Sequence, residues 1–116
     1  MRDFRIAKRD KNEGQIVTAL KWRGALVWRI DQRGLPDLLV GWRQKWFLLE
    51  VKLPEGPRGG TAKSELNDAQ KEFFTLAEAG ELPVKVVRTI EDACQAIGMG
   101  WDESEAREVS NVTEVI

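Results

Sequence analysis

Apolar residues recur at helical spacing in three parts of the chain. In the first, NEGQIVTALKWRG, Ile16 and Leu20 lie four residues apart and share one side of a helix. Asn12 is a predicted N-cap and Gly24 a predicted stop, so we expect a helix over 13–23. The segments NDAQKEFFTLAEAG and IEDACQAIG have the same period and predict two further helices.

The two later helices carry boundary residues of their own. Asn67 and Gly80 are expected to begin and end the longer helix, and Thr89 to cap the shorter one. Cys94 lies within the shorter helix. Because the chain has no second cysteine and no histidine to activate a thiol, we expect Cys94 to be a small core residue.

The remaining apolar segments predict four strands. ALVWRI is rich in branched and aromatic residues, DLLVGW and KWFLLEVK predict a hairpin, and VKVVRT predicts the last strand. The order α-β-β-β-α-β-α indicates an α/β fold in which helices flank a mixed sheet of about four strands. Both alternating sets of hairpin residues are apolar, so we expect the sheet to be covered on both faces.

Length and composition predict one soluble domain. The 116 residues are 42% hydrophobic and 32% charged, which is typical of a globular protein and not of a disordered chain. We expect a domain over 1–100 and an acidic tail over 101–116. No apolar run approaches the roughly 20 residues of a membrane-spanning helix, and the first residues lack the apolar core of a signal peptide. The cytoplasm is therefore the expected location.

The net charge of −1 hides an uneven distribution. The tail after Gly100 carries a net charge of −4, which leaves +3 on residues 1–100. Basic residues cluster near the N-terminus and in a Gly/Pro-rich loop after the third strand, and they can serve as ordinary surface charge or as phosphate contacts. The candidate phosphate contacts are Lys8, Arg9, Lys11, Arg58 and Lys63.

Charged residues interrupt the apolar hairpin at three positions. If its turn is centred between residues 43 and 44, Asp37 faces Glu50 with Cα atoms about 4.5–5.5 Å apart. Lys52 lies on the same face, because side chains alternate along a strand. Carboxylates so close repel each other and favour a bound cation. Without histidine, Mg²⁺ or Mn²⁺ on oxygen ligands is the expected metal, and the carbonyl of Val51 is a further candidate ligand.

Two more polar residues lead the inward sides of the predicted helices. Glu13 precedes Ile16 and Leu20, and Gln70 precedes Phe73 and Phe74. Burying these groups without partners costs about 1 kcal/mol or more each, so a common site with the hairpin carboxylates is expected.

Each of these residues also has an ordinary interpretation. Glu13 could lie in a first turn favoured by the helix dipole, and Gln70 could be exposed. Asp37 could be a turn residue, with Glu50 and Lys52 forming a surface pair on an edge strand. One site accounts for all five residues, whereas the ordinary interpretations require several independent coincidences.

The motifs PD and EVK resemble the signature of the PD-(D/E)XK nucleases. The blocks GLPDLLV, FLLEVK and LNDAQKEFF are similar in order and spacing to those of the virus-type replication-repair nuclease (VRR-NUC) branch, in its stand-alone phage-type form. With the first helix, the resemblance covers roughly residues 10–90. It implies a restriction-endonuclease-like core and a location in a bacterial or phage-infected host cell.

The resemblance also implies Mg²⁺- or Mn²⁺-dependent cleavage of DNA phosphodiester bonds. It makes Asp37 and Glu50 metal ligands and Glu13 a ligand directly or through water. Lys52 would position the attacking water and offset charge on the phosphate. Gln70 would orient Lys52 or the metal-bound water.

Small members of this branch resemble Holliday-junction resolvases that act as homodimers, so the expected substrate is branched DNA. Two alternatives stay open: a nuclease acting on flaps, nicked or linear duplex or RNA, and a non-catalytic DNA-binding module. The five tryptophans could stack on unpaired bases or fill cores and dimer seams.

Overall fold

A computed structural model describes residues 4–54 and 66–101, with side chains from residue 11 onward. The order of elements is α-β-β-β-α-β-α, which confirms the predicted α/β fold. The helices are α1 (Phe4–Trp22), α2 (Asp68–Ala79) and α3 (Ile90–Ala96). The strands are β1 (Leu26–Arg29), β2 (Leu38–Trp42), β3 (Lys45–Val51) and β4 (Val84–Val87).

The four strands form one mixed sheet in the order β1-β2-β3-β4. The first three are antiparallel, and β4 runs parallel to β3 after the crossover through α2. In the hairpin, Leu39 pairs with Leu48 and Gly41 with Trp46, which confirms the predicted register. The two turn residues, Arg43 and Gln44, have φ of 48° and 70°. Two left-handed residues form the tight turn whose twist matches a two-residue hairpin.

One face of the sheet, here called the closed face, is packed against α1 and α3. Ile16, Val17 and Leu20 of α1 and Cys94 of α3 belong to the same buried cluster as the strands, which confirms the core position of the cysteine. Burying a large aliphatic side chain completely stabilises the fold by about 1.5–3 kcal/mol. This cluster is therefore the main source of stability. The buried strand residues of the closed face are Leu38, Val40, Leu49, Val51 and Val87, with Val27, Trp42 and Phe47 partly buried against them.

The opposite face, here called the open face, is covered only in part. Helix α2 lies over the end that carries Glu50, whereas Leu26, Trp28 and Trp46 at the other end are exposed by 52%, 68% and 56%. The prediction of a sheet covered on both faces is wrong for this end, because α2 has only 12 residues. The residues of the open face are Leu26, Trp28, Leu39, Gly41, Trp46, Leu48, Glu50, Val84 and Val86.

Helix α1 begins at Phe4, nine residues before the predicted start. Asn12 therefore lies inside the helix, and its predicted N-cap role is wrong. Its amide nitrogen donates instead to the carbonyls of Lys52 and Arg88, at 2.9 and 3.0 Å. Residues 4–11 include several good helix formers, so the helix extends past the Asn.

The other boundary predictions are confirmed. Asn67 caps α2, Gly80 ends it, and the Thr89 side chain accepts a hydrogen bond from Asp92 at the start of α3. No helix in the described part of the chain is long and apolar enough to cross a membrane.

Several predictions fall outside the described residues. Arg58, Lys63 and the tail over 102–116 are not described, and neither are the side chains of Lys8 and Arg9. Lys11 is exposed on α1.

Candidate active site

Glu50 is a completely buried carboxylate, with 0% of its surface exposed. Its Oε2 atom accepts a hydrogen bond from Gln70 Nε2 at 2.6 Å and lies 3.2 Å from Lys52 Nζ. Both partners can only donate at these atoms, so Oε2 is held as an acceptor, as in an ionised carboxylate. The interpretation of Glu50 and Lys52 as a surface pair is wrong, because both side chains are buried and β3 is a central strand.

Gln70 reaches Glu50 because it is also part of the cap of α2. Its backbone N–H donates to Asn67 Oδ1 at 2.9 Å, and its Oε1 accepts from the Asn67 N–H at 3.1 Å. This reciprocal capping box fixes the amide with Oε1 towards the cap and Nε2 towards Glu50. Gln70 is buried, so the interpretation as an exposed first-turn residue is wrong.

Asp37 directly precedes β2, at the end of the regular hydrogen-bond ladder of the hairpin. Its carbonyl accepts from the Ile30 N–H at 2.7 Å, and its Oδ2 accepts from the Val51 N–H at 2.8 Å. The register would place Pro36 opposite Val51, but here the Asp37 carboxylate occupies the position of the ladder acceptor. Extending the register by one residue places Asp37 opposite Glu50, the arrangement expected from the sequence.

The carbonyl of Val51 lies on the same side as Asp37. The Lys52 N–H donates to the Val87 carbonyl, towards β4, whereas the Val51 N–H points the other way, to Asp37. The N–H and C=O groups of one strand residue point to the same side of the strand. Two carboxylates and a carbonyl therefore belong to the same end of β3.

The backbone that follows β3 is held by residues that the sequence did not single out. Asn12 of α1 binds the carbonyl of Lys52, and the Arg88 guanidinium donates to the carbonyl of Leu53 at 2.6 Å. These bonds fix the main chain at Lys52 and Leu53 and so help to position the Lys52 side chain. A polar residue in the middle of an amphipathic helix could have suggested the role of Asn12, but its position also suited an N-cap.

Glu13 does not join the hairpin carboxylates in this arrangement. Its carboxylate lies 3.6 Å from the Arg29 guanidinium, on a helix that packs against the closed face. Within the described residues, no group of three or more Asp, Glu or Cys side chains is placed to hold a metal ion. Glu13 also lies well inside α1, so its interpretation as a first-turn residue is wrong. Its role as a metal ligand stays a prediction.

The donor set at the end of β3 fits a hard divalent cation. Asp37 and Glu50 supply carboxylates and Val51 a carbonyl, and Mg²⁺ and Mn²⁺ bind oxygen ligands of these kinds. The remaining ligands of such an ion are commonly water molecules. The register places Asp37 and Glu50 at facing positions of the hairpin, and neighbouring negative charges there favour a cation in addition to Lys52.

Comparison of the chain with protein-family models, with curated proteins and with solved structures finds no match. The resemblance to the VRR-NUC branch stays a prediction from the motif residues. The geometry of the site is therefore the basis for assigning a function.

Proposed function

We propose that the protein is a divalent-metal-dependent endonuclease that hydrolyses phosphodiester bonds of DNA. The observation that supports this most is the buried Glu50 carboxylate, bound by Gln70 and Lys52, with the Asp37 carboxylate on the next backbone amide. Moving charged groups out of water costs several kcal/mol per ion, and apolar residues often stabilise such a position as well or better. A buried polar group of this composition is typical of a catalytic site.

Asp37, Glu50 and the carbonyl of Val51 would hold Mg²⁺ or Mn²⁺. When bound, such an ion lowers the pKa of a coordinated water and offsets charge on the phosphate oxygens. Gln70 fixes the orientation of Glu50 through its hydrogen bond. The sequence led us to expect that Gln70 orients Lys52 or a water molecule. Because its amide binds Glu50, its proposed role is that of a positioning residue that acts through Glu50.

Lys52 would act on the reacting groups. Its ammonium group is a donor beside Glu50 and can donate to the attacking water or to a non-bridging phosphate oxygen. In the proposed reaction the water oxygen bonds to phosphorus while one P–O ester bond breaks. The products are a phosphate monoester and an alcohol, and the proton from water passes to the departing oxygen or to solvent.

Branched DNA and a homodimeric assembly remain part of the proposal because of the resemblance to phage-type VRR-NUC proteins. A two-fold dimer would present two equivalent sites to two symmetry-related strands. Lys8, Arg9, Lys11, Arg58 and Lys63 are the proposed phosphate contacts. Contacts of this kind recognise the DNA backbone and weaken as salt rises.

A cleavage assay on the purified full chain tests the proposed function. We expect nicking of a four-way junction with Mn²⁺ or Mg²⁺ and none with EDTA. Asp37→Asn and Glu50→Gln should each lower the rate by about 100-fold or more, because each removes charge from the metal-binding and charge-stabilising groups. Glu72→Gln, an exposed carboxylate on α2, is the matched control and should leave the rate unchanged.

Full activity of Asp37→Asn, or cleavage in EDTA, would overturn the assignment. The same assay with flap, nicked, linear duplex and RNA substrates determines the preferred substrate. Binding of DNA without cleavage of any substrate would favour the non-catalytic module instead. Glu13→Gln decides between two roles: a loss as large as that of Asp37→Asn indicates a ligand, and a small loss indicates the ion pair with Arg29.

A further inference from the structure

The open face carries a contiguous apolar surface, in which Leu26, Trp28 and Trp46 are exposed and the leucines between them are half-buried. The register places Leu26, Gly41 and Trp46 in one row across β1, β2 and β3, and Trp28, Leu39 and Leu48 in the next. Trp28 and Trp46 are the most exposed strand residues of this set. A large exposed apolar patch is typical of a surface that binds a protein, a membrane or a ligand.

Gly41 permits the position of Trp46. A Cβ atom at Gly41 would lie 3.0 Å from the six-membered ring of Trp46, which is tighter than most Cβ contacts in proteins. The indole therefore lies against the backbone of β2, and more than half of Trp46 is still exposed to solvent. An aromatic ring held against a sheet in this way is a stacking platform for a planar group.

The charges around this surface favour an anionic partner. Arg43 and Lys45 at the hairpin turn are exposed, and the sequence has no Asp or Glu from Leu38 to Leu49. Arg43 also stacks on Trp42, with its guanidinium carbon 5.3 Å from the ring centre. A cavity of 420 Å³ lies beside these residues, and its lining includes Leu26, Gly41, Trp42 and Trp46. Trp42 and Lys45 directly follow or precede open-face residues and so alternate to the other side of the hairpin, and this cavity therefore lies at the end of the sheet, where both sides meet.

The surface leads along the open face towards the end where α2 covers the candidate active site. Trp46, Leu48 and Glu50 occupy every second position of β3, so all three side chains lie on the open face. Glu50 lies four positions after Trp46, which corresponds to about 13 Å along a strand. This is the length of about four nucleotides at the 3.4 Å spacing of a stacked strand. A strand bound along β3 from Trp46 would reach the carboxylates.

We propose that the open face binds an unpaired segment of nucleic acid, with bases stacked on Trp28 and Trp46 and phosphates beside Arg43 and Lys45. The inference rests on the proposed function, because it names the form of the substrate at that site. A second copy of the chain fits this surface less well. A two-fold interface places the same patch on both subunits, so the cations of one copy would lie near those of the other.

Binding of a fluorescein-labelled oligodeoxythymidylate, measured by anisotropy in EDTA, tests the proposal with the full chain. We expect Trp28→Ala and Trp46→Ala each to weaken binding by roughly 10-fold or more, because each removes a stacking partner. Trp22→Ala is the matched control, since Trp22 is also exposed, by 44%, but belongs to α1. It should change binding less than twofold. Arg43→Gln and Lys45→Gln should each reduce the salt slope by about 0.7.

Unchanged affinity of the two sheet variants, with circular dichroism showing the native fold, would overturn the proposal. Conversion of a dimer to a monomer by Trp46→Ala, with unchanged oligonucleotide binding, would also overturn it and would assign the face to a second copy. The outcome does not depend on cleavage, because EDTA removes divalent metal. A chain that cuts junctions but binds the oligonucleotide equally well in all variants would retain the proposed function and lose this inference.

Discussion

The two faces of the sheet are built from the same strands but serve different purposes. On the closed face, Leu38, Leu49 and Val51 are completely buried against α1 and α3. On the open face, Glu50 is equally buried but polar, and Trp46 four residues earlier is mostly exposed. Stability therefore comes mainly from one face, whereas the candidate chemistry and the proposed binding surface belong to the other.

The difference shows that burial alone does not identify a core. Leu49 and Glu50 are neighbours on β3 and both have no exposed surface. Leu49 joins an apolar cluster, whereas Glu50 is enclosed with Lys52 and Gln70. The first kind of burial stabilises the fold, and the second requires partners to offset desolvation.

The largest effect on stability is expected where one member of the buried pair is removed. Lys52→Met leaves the Glu50 carboxylate buried without the cation at 3.2 Å, so we expect the free energy of unfolding in EDTA to fall by about 3–5 kcal/mol. Urea denaturation measures this change.

The double variant Glu50→Leu/Lys52→Met is the control for that experiment. Replacing both charges by apolar groups should recover most of the lost stability, while cleavage activity stays absent. If the double variant is no more stable than Lys52→Met, the loss of stability in Lys52→Met does not come from a buried carboxylate that lacks its cation.

An intermediate effect is expected from a matched pair of substitutions on β3. Leu49→Ala on the closed face should lower the free energy of unfolding by about 2–5 kcal/mol, because it leaves a cavity in the packed cluster. Leu48→Ala on the half-buried open face should cost less than about 1.5 kcal/mol. Thermal and urea denaturation compare them. Equal losses would mean that the open face is covered after all.

The smallest effect is expected at the hairpin turn beside the open face. Gln44 has φ of 70°, a left-handed conformation that glycine adopts more easily. Gln44→Gly should therefore raise the free energy of unfolding by about 0.5–1 kcal/mol and leave cleavage unchanged. Gln44→Ala, which keeps the strain, serves as the control. A loss of stability in the glycine variant would show that the side chain of Gln44 stabilises the turn.

The element order and the hairpin register could be predicted because they depend on local patterns. Alternation in the hairpin, and caps such as Asn67 and Thr89, are encoded within a few residues of where they act. The pairing of Asp37 with Glu50 followed from the register alone. Gln70 was found because it begins an apolar helix side, where a polar residue requires a partner.

What could not be predicted depends on contacts between distant segments. Asn12 looks like a helix cap locally, and only the positions of Lys52 and Arg88 show that it binds their carbonyls. Glu13 forms an ion pair with Arg29 of β1, and nothing in the sequence pattern indicated that these two residues are in contact. The open face was missed for the same reason, because apolar alternation indicates that a side chain can be buried and not that a helix is present to cover it.

The crossover between β3 and β4 has a consequence for the order of folding. The hairpin that carries Asp37 and Glu50 closes through a two-residue turn, and such hairpins form within about 1–10 μs. Gln70 arrives only with α2, whose crossover must close before β4 can pair in parallel, and such non-local pairing is slow. We therefore expect the acidic pair to form during refolding before its amide partner, so that the site is completed in the last steps.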